Sequence, residues 1–192
     1  MTFMPTELSH VLFSEETLKK RVIEMANQLN GDYAGDELVV LCVLKGSIMF
    51  VTDLIKHLNI RVAVDFIGTS SYGSSSKTSG VVKMVKDLEE SIQGRHVLVV
   101  DDIVDSGLTL DYLRRLLLMR EPKSLKTCAL LSKMARRSAD LRADYVGFEI
   151  DDHFVVGYGL DYLSLYRNLP YIGVLDPSRI ENGGELKPVS PA

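Results

Sequence analysis

Val97-Leu98-Val99-Val100-Asp101-Asp102-Ile103-Val104-Asp105-Ser106-Gly107-Leu108-Thr109-Leu110 is the stretch on which the reading of this chain turns. Four apolar residues, three of them β-branched, make a run that suits a buried parallel strand. Two carboxylates end the run. A turn of small and polar residues follows, and then an apolar-periodic segment predicts a helix. Backbone N–H groups at a helix start are unpaired donors with partial positive charge, so they favour phosphate. Ser106 and Gly107 are small enough to let that backbone approach an anion. The carboxylates suit sugar hydroxyls or a divalent cation. The pattern therefore describes a site for a phosphorylated sugar. Asp, Ser and Thr before a helix are also ordinary N-caps, and that plainer reading stands beside it.

Neighbouring strand residues point to opposite faces, so Asp101 and Asp102 should have different surroundings if the strand runs through both. Asp105 lies in the turn beyond the strand and is the carboxylate most free to project over a ligand at the helix start. The full string is more specific than its parts. It resembles the phosphoribosyl-diphosphate signature of the type I phosphoribosyltransferases, with Asp101 where that family often has Glu.

Outward from this stretch, the chain repeats the same unit. Leu38 to Leu44 predicts a buried strand, Lys45-Gly46-Ser47 a loop, and Ile48 to Leu58 an amphipathic helix. Ser124 to Leu131 predicts another strand, ending at Ser132-Lys133. Leu110, Leu113, Leu116 and Leu117 mark one face of the helix between, which Pro122 closes. Successive strand–helix units predict an α/β fold, with ligand loops at the carboxyl ends of the strands. Before them, Ser14 should cap a first helix whose apolar stripe is Leu18, Val22, Met25, Ala26 and Leu29, with Gly31 as its stop.

Arg61 to Gly68 and Val81 to Val85 alternate like strands, and Thr69 to Gly80 between them is rich in Ser and Gly. This predicts a mobile hairpin flap. Tyr145 to Ile150 and Ile172 to Leu175 predict further strands. Asp151-Asp152-His153 reads as a turn, with His153 only a turn residue. Glu181 to Ala192 reads as a loose tail, which leaves one domain over residues 1–180.

The chain has 192 residues, 46% of them apolar, and a net charge of −4. A full core is expected, and general nucleic-acid binding is not, because that normally needs a basic face. Cys42 and Cys128 lie in apolar runs and read as buried small hydrophobes rather than a disulfide or zinc pair. No run reaches transmembrane length and no basic-then-apolar leader opens the chain. No membrane association and a cytoplasmic location are expected.

Three further segments carry the resemblance towards the 6-oxopurine branch of the family. Leu41-Cys42-Val43-Leu44-Lys45-Gly46-Ser47 is similar to its pyrophosphate loop, and Ser71-Tyr72 to its lid. Val146-Gly147-Phe148-Glu149-Ile150 with Phe154-Val155-Val156-Gly157-Tyr158 is similar to its base-binding segment. The resemblance implies a central, mostly parallel sheet flanked by helices, with a small hood and a flexible hairpin lid. It also implies transfer of a phosphoribosyl group from phosphoribosyl diphosphate to N9 of hypoxanthine or guanine, with Mg²⁺.

The residue roles are those the resemblance implies. Asp101 and Asp102 hold ribose hydroxyls, directly or through the metal, and Asp105 is the general base near the purine N7. Backbone amides from Asp105 to Thr109, with the hydroxyls of Ser106 and Thr109, cradle the 5′-phosphate. Gly107 and Leu108 belong to this loop, though Leu108 stands where some relatives have Lys. Lys45, Gly46 and Arg167 meet pyrophosphate, through a cis peptide at Leu44–Lys45. Lys133 contacts the 6-oxo group, Phe154 stacks on the base and the Val155 backbone reads its edge. Asp161 binds a second Mg²⁺. Relatives form homodimers or homotetramers, and the same is expected here. A xanthine-using enzyme and a nucleotide-sensing regulator are the alternatives.

Overall fold

In a computed structural model, residues 4–71, 82–133 and 142–179 are described. Three parallel strands form the centre: β2 (Glu37–Leu44), β5 (His96–Val104) and β6 (Ser124–Lys133). β3 (Arg61–Ser71) and β4 (Val82–Lys86) extend the sheet on one side, and β7 (Tyr145–Ile150) on the other. The order is β4-β3-β2-β5-β6-β7, and every pairing is parallel except β3 with β4. The expected mostly parallel sheet is thus present.

The period of two along each strand divides the core. Leu38, Val40, Cys42, Leu98, Val100, Cys128 and Leu130 face one side. There they meet α1 (Glu15–Asp32) and α2 (Ile48–Ile55) through Leu18, Val22, Met25, Leu29, Phe50 and Leu54. Val39, Leu41, Val43, Val97, Val99 and Ala129 face the other side, against α3 (Leu108–Leu118) and its Leu110, Leu113 and Leu117. A strand covered on both faces must be apolar throughout, which is why β2 is buried at every residue from Leu38 to Val43. Cys42 and Cys128 are free and buried, as expected.

A second, smaller sheet forms the hood. It contains β1 (Leu8–Phe13), β8 (Val155–Val156) and β9 (Ile172–Leu175), antiparallel in the order β1-β9-β8. Tyr171, Leu169, Val156 and Leu8 pack together beneath it.

Several boundaries differ from the sequence reading. α1 does not stop at Gly31; it runs to Asp32, and the Tyr33 N–H closes it on the Leu29 carbonyl at 3.0 Å. Burial of both Leu29 and Tyr33 carries the helix past the glycine. α2 ends at Ile55, short of Leu58. α3 ends four residues before Pro122, where Glu121 adopts φ +52°. β5 does not end at Val100 but continues through both acidic residues to Val104, because Asp101, Ile103 and Val104 keep their register with β6. β1 had no counterpart in the sequence reading. β3 and β4 form the expected hairpin arms. Tyr72, the side chain of Ser71 and the intervening loop lie outside the described residues, as does the tail from residue 180.

Candidate functional site

β2 and β5 are adjacent and parallel, so the loops after them open at the same end of the sheet. A cavity of about 580 Å³ lies there. Lys45 and Gly46 line it from the β2 loop, Asp101 and Asp102 from β5, and Asp105, Ser106, Gly107 and Thr109 from the turn before α3. Asp161 and Arg167 close it from the hood side. Of the proposed phosphate-loop residues only Leu108 does not line it, and its side chain is exposed.

The turn before α3 is open in the way an anion site requires. The N-cap is Gly107 at φ +83°, a conformation that disfavours any side chain, and no side chain caps the helix. The plain capping reading of this turn is therefore not what forms. The Leu108 N–H has only the Ser106 hydroxyl, at the long distance of 3.5 Å. Apart from that long contact, the start of α3 faces the cavity with no side-chain cap from its N-cap residue.

The β2 loop is fixed by close contact. The Leu44–Lys45 peptide is cis, as the resemblance implied. A Cβ on Gly46 would fall 1.6 Å from Asp102 Oδ2, so any side chain there would have to displace the Asp102 carboxylate. A Cβ on Gly159, which has φ +100°, would fall 1.9 Å from the Gly46 carbonyl oxygen. The loop is thus held between Asp102 and the hood. The Ser47 hydroxyl, fully buried, donates to the Val43 carbonyl at 2.7 Å and locks the turn.

A second cavity, about 240 Å³, adjoins the first. Lys133, His153, Phe154, Val155 and Leu160 line it, and it shares Asp102, Ile103, Asp105 and Asp161 with the first. Asp102 thus reaches both cavities and Asp101 only one, as expected of neighbours on one strand. Phe154 is half-exposed, lines this cavity and makes a T-shaped contact with Tyr162, ring centroids 5.2 Å apart. Lys133 is buried, its ammonium 3.0 Å from Asp152 and 4.0 Å from Asp105. His153, read from sequence as a turn residue, is in that turn and also lines this cavity.

Electrostatics distinguish the carboxylates. Burial, then the neighbouring Asp102 carboxylate, hold Asp101 well above the usual carboxylate range. Burial raises Asp102 as well, against hydrogen bonds and the attraction of Arg167 that pull it down. Two such groups ask for a cation. Among the described residues no group of three or more metal-ligating side chains occurs. Mg²⁺, however, is commonly held by one or two carboxylates together with substrate phosphates, and a buried oxygen pair fits it. Asp161 is engaged differently: Arg167 Nη2 lies 2.7 Å from one oxygen and the Ser164 N–H donates to the other at 2.8 Å. Arg167 also donates to the Gly159 carbonyl at 2.6 Å.

Sequence reasoning passed over Thr69, Gly159 and Asp152. Gly159 stood in plain view as the second glycine of Gly157-Tyr158-Gly159, but its contact with Gly46 joins distant segments.

Comparison with known proteins agrees with this geometry. Residues 12–163 match the family described as phosphoribosyl transferase domain. The hypoxanthine-guanine phosphoribosyltransferase of Bacillus subtilis is 49% identical over 179 residues, covering 93% of this chain and 99% of that protein. A crystal structure of a hypoxanthine phosphoribosyltransferase from Staphylococcus aureus superposes with a TM-score of 0.87 at 46% identity, covering 92% of this chain and 96% of that one. The hypoxanthine phosphoribosyltransferase of Trypanosoma cruzi, solved with its product IMP, gives 0.85 at 44% identity, covering 92% and 98%.

Proposed function

Since the chain belongs to the phosphoribosyl transferase domain family, among its hypoxanthine-guanine phosphoribosyltransferases, we propose which of its residues carry each part of that reaction. The enzyme transfers the 5-phosphoribosyl group from phosphoribosyl diphosphate to hypoxanthine or guanine, giving IMP or GMP and pyrophosphate. The observation that carries the assignment is the shared wall of the two cavities. Asp105 belongs to both, so a base in the smaller cavity and a pentose in the larger one meet beside its carboxylate.

The larger cavity takes the pentose and its phosphates. The open start of α3 holds the 5′-phosphate through backbone N–H groups from Asp105 to Thr109 and the hydroxyls of Ser106 and Thr109. Leu108 contributes backbone alone. Asp101 and Asp102 hold the ribose hydroxyls. Lys45, Gly46 and Arg167 hold the pyrophosphate. Asp101, Asp102 and Asp161 are the residues for Mg²⁺, which when bound supplies charge neutralisation to the leaving pyrophosphate. Asp161 must release Arg167 to serve in this way, which also frees Arg167 for the anion.

In the smaller cavity Phe154 stacks on the base and aligns its nitrogen with C1′. The Val155 backbone reads the base edge. Lys133 donates to the 6-oxo oxygen, and an exocyclic amine offers no acceptor in its place. Asp105 accepts the proton that leaves N7 as the new bond forms. Ser71 and Tyr72 complete the site as a lid that excludes water. The rest of the proposal is one domain over 1–180, a loose tail, a homodimer or homotetramer, and a cytoplasmic location. Among the described residues, no helix is long and apolar enough to cross a membrane.

The test is the initial rate with phosphoribosyl diphosphate, Mg²⁺ and each of hypoxanthine, guanine, xanthine and adenine. Hypoxanthine and guanine should turn over and adenine should not. Equal rates with adenine would remove the role given to Lys133, and a preference for xanthine would move the enzyme to another branch.

A further inference from the structure

Beyond the two cavities, one buried side chain crosses from the hood to α2. The Tyr158 hydroxyl donates to Asp53 Oδ2 at 2.7 Å. Tyr158 is buried in the main core and Asp53 lies on α2, and neither lines the site. Burial, then the bond to Asp53, push the phenol above its ordinary range, so the proton stays on Tyr158 and the bond has one direction.

The backbone around Tyr158 is fixed on several sides. Its N–H donates to the Leu169 carbonyl at 2.8 Å, and the Gly159 N–H donates to the Arg167 carbonyl at 3.0 Å. Gly157, Tyr158 and Gly159 all have positive φ, at +98°, +50° and +100°. The turn they form lies with Gly159 directly against the Gly46 carbonyl. On the other side, α2 begins immediately after Ser47, so any shift of α2 moves Lys45 and Gly46. The hood turn therefore touches the β2 loop twice: through Gly159 on the loop itself, and through Tyr158 on the helix that continues it.

We propose that Tyr158 is a positioning residue for pyrophosphate. Its bond to Asp53 sets the distance between the Lys45–Ser47 loop and Arg167, the two halves of the pyrophosphate grip. This inference rests on the reading of that loop given above. Lys45, Gly46 and Arg167 line the larger cavity and not the base cavity, so the larger effect should fall on phosphoribosyl diphosphate.

Tyr158→Phe is a mild probe. It keeps the buried ring, and Asp53 stays partly exposed and paired with Lys56 at 2.9 Å, so no orphaned carboxylate is buried. Loss of one such bond should raise KM for phosphoribosyl diphosphate about 3–10-fold, and weaken pyrophosphate inhibition equally. KM for hypoxanthine should stay within about twofold. Asp53→Ala should do the same, and the double variant should be no worse than either alone. Asp53→Asn keeps an acceptor and should restore nearly normal values. Equal changes for both substrates, additive effects, or a fall in melting temperature with unchanged KM values would overturn the inference. Lys45→Ala serves as the reference. If it weakens pyrophosphate inhibition while Tyr158→Phe does not, the positioning role alone fails. If neither Lys45→Ala nor Arg167→Ala weakens it, the reading of the pyrophosphate grip fails and the inference with it.

Discussion

Asp101 and Asp144 are carboxylates at opposite ends of the same sheet, and they are treated in opposite ways. Asp101 lies at the carboxyl end of β5, buried beside Asp102, with burial and like charge both raising its pKa. Asp144 lies at the amino end, just before β7. Burial raises it too, but it accepts from the Thr127 N–H at 2.8 Å, the Thr127 hydroxyl at 2.9 Å and the Lys126 ammonium at 2.8 Å, and the net shift is downward. One end of the sheet satisfies its carboxylate within the fold. The other gives Asp101 the Asp102 N–H at 3.0 Å but sets it beside a second buried carboxylate instead of a lysine. The difference teaches which end is built for chemistry and which for stability, with the loops after the strands carrying function.

Asp105→Asn tests the contrast most severely. It belongs to the end built for chemistry, so turnover should fall by about 10²–10⁴ while the melting temperature and the binding of phosphoribosyl diphosphate change little. Steady-state kinetics and a thermal melt together decide it. Unchanged turnover would remove the proton-acceptor role; a large loss of stability would break the comparison.

How legible this end was in sequence follows from how local each feature is. The β5 strand, its turn and α3 are contiguous, so Asp101, Asp102, Asp105, Ser106, Gly107 and Thr109 could be placed together from one string. The apolar strands could be read because both their faces are covered. Features made by distant contacts could not. β1 has only Leu8 buried, no clear alternation, and a partner, β9, at the far end of the chain. Gly159 matters because Gly46 approaches it, and His153 because its turn happens to border the base cavity. The helix stop at Gly31 failed because burial of Leu29 and Tyr33 outweighs a glycine's weak preference. Where the families resemble one another, the residues could be grouped; the contacts among them came only from the fold.

Asp101→Asn gives a smaller effect, and it is a gain in stability. The folded pKa of Asp101 is raised above the ordinary carboxylate value. Stability is therefore lost as pH rises from the unfolded pKa, near 4, to the folded one, and the loss is complete above it. Asn cannot ionise, and its oxygen can still accept the Asp102 N–H now bonded to Asp101 Oδ1 at 3.0 Å. Removing the ionisable group should raise the melting temperature at pH 7 by roughly 2–8 °C in EDTA, from about 1–2 kcal/mol, while activity falls. The gain should vanish below about pH 4. A variant that melts lower than the native protein at pH 7 would show that the acidic pair is satisfied within the fold, and the two ends of the sheet would no longer differ.

Asp144→Asn should show the mirror image with the smallest amplitude. The folded pKa of Asp144 is depressed, so its contribution is present above the unfolded value and is lost as pH falls through the folded one. Asp144 is partly exposed and its partner Lys126 about half-exposed, so solvent screens the pair and the contribution is discounted to about 0.5–1 kcal/mol. At pH 7 the variant should melt roughly 1–4 °C lower, with kcat and both KM values unchanged. The difference should shrink at high salt, which screens Lys126 but leaves the hydrogen bonds from Thr127, and it should close towards pH 3. A salt-independent loss would assign the effect to Thr127 alone. A change in KM would mean that the amino end of β6 is mechanically linked to Lys133 at its carboxyl end, and the division of labour along the sheet would have to be redrawn.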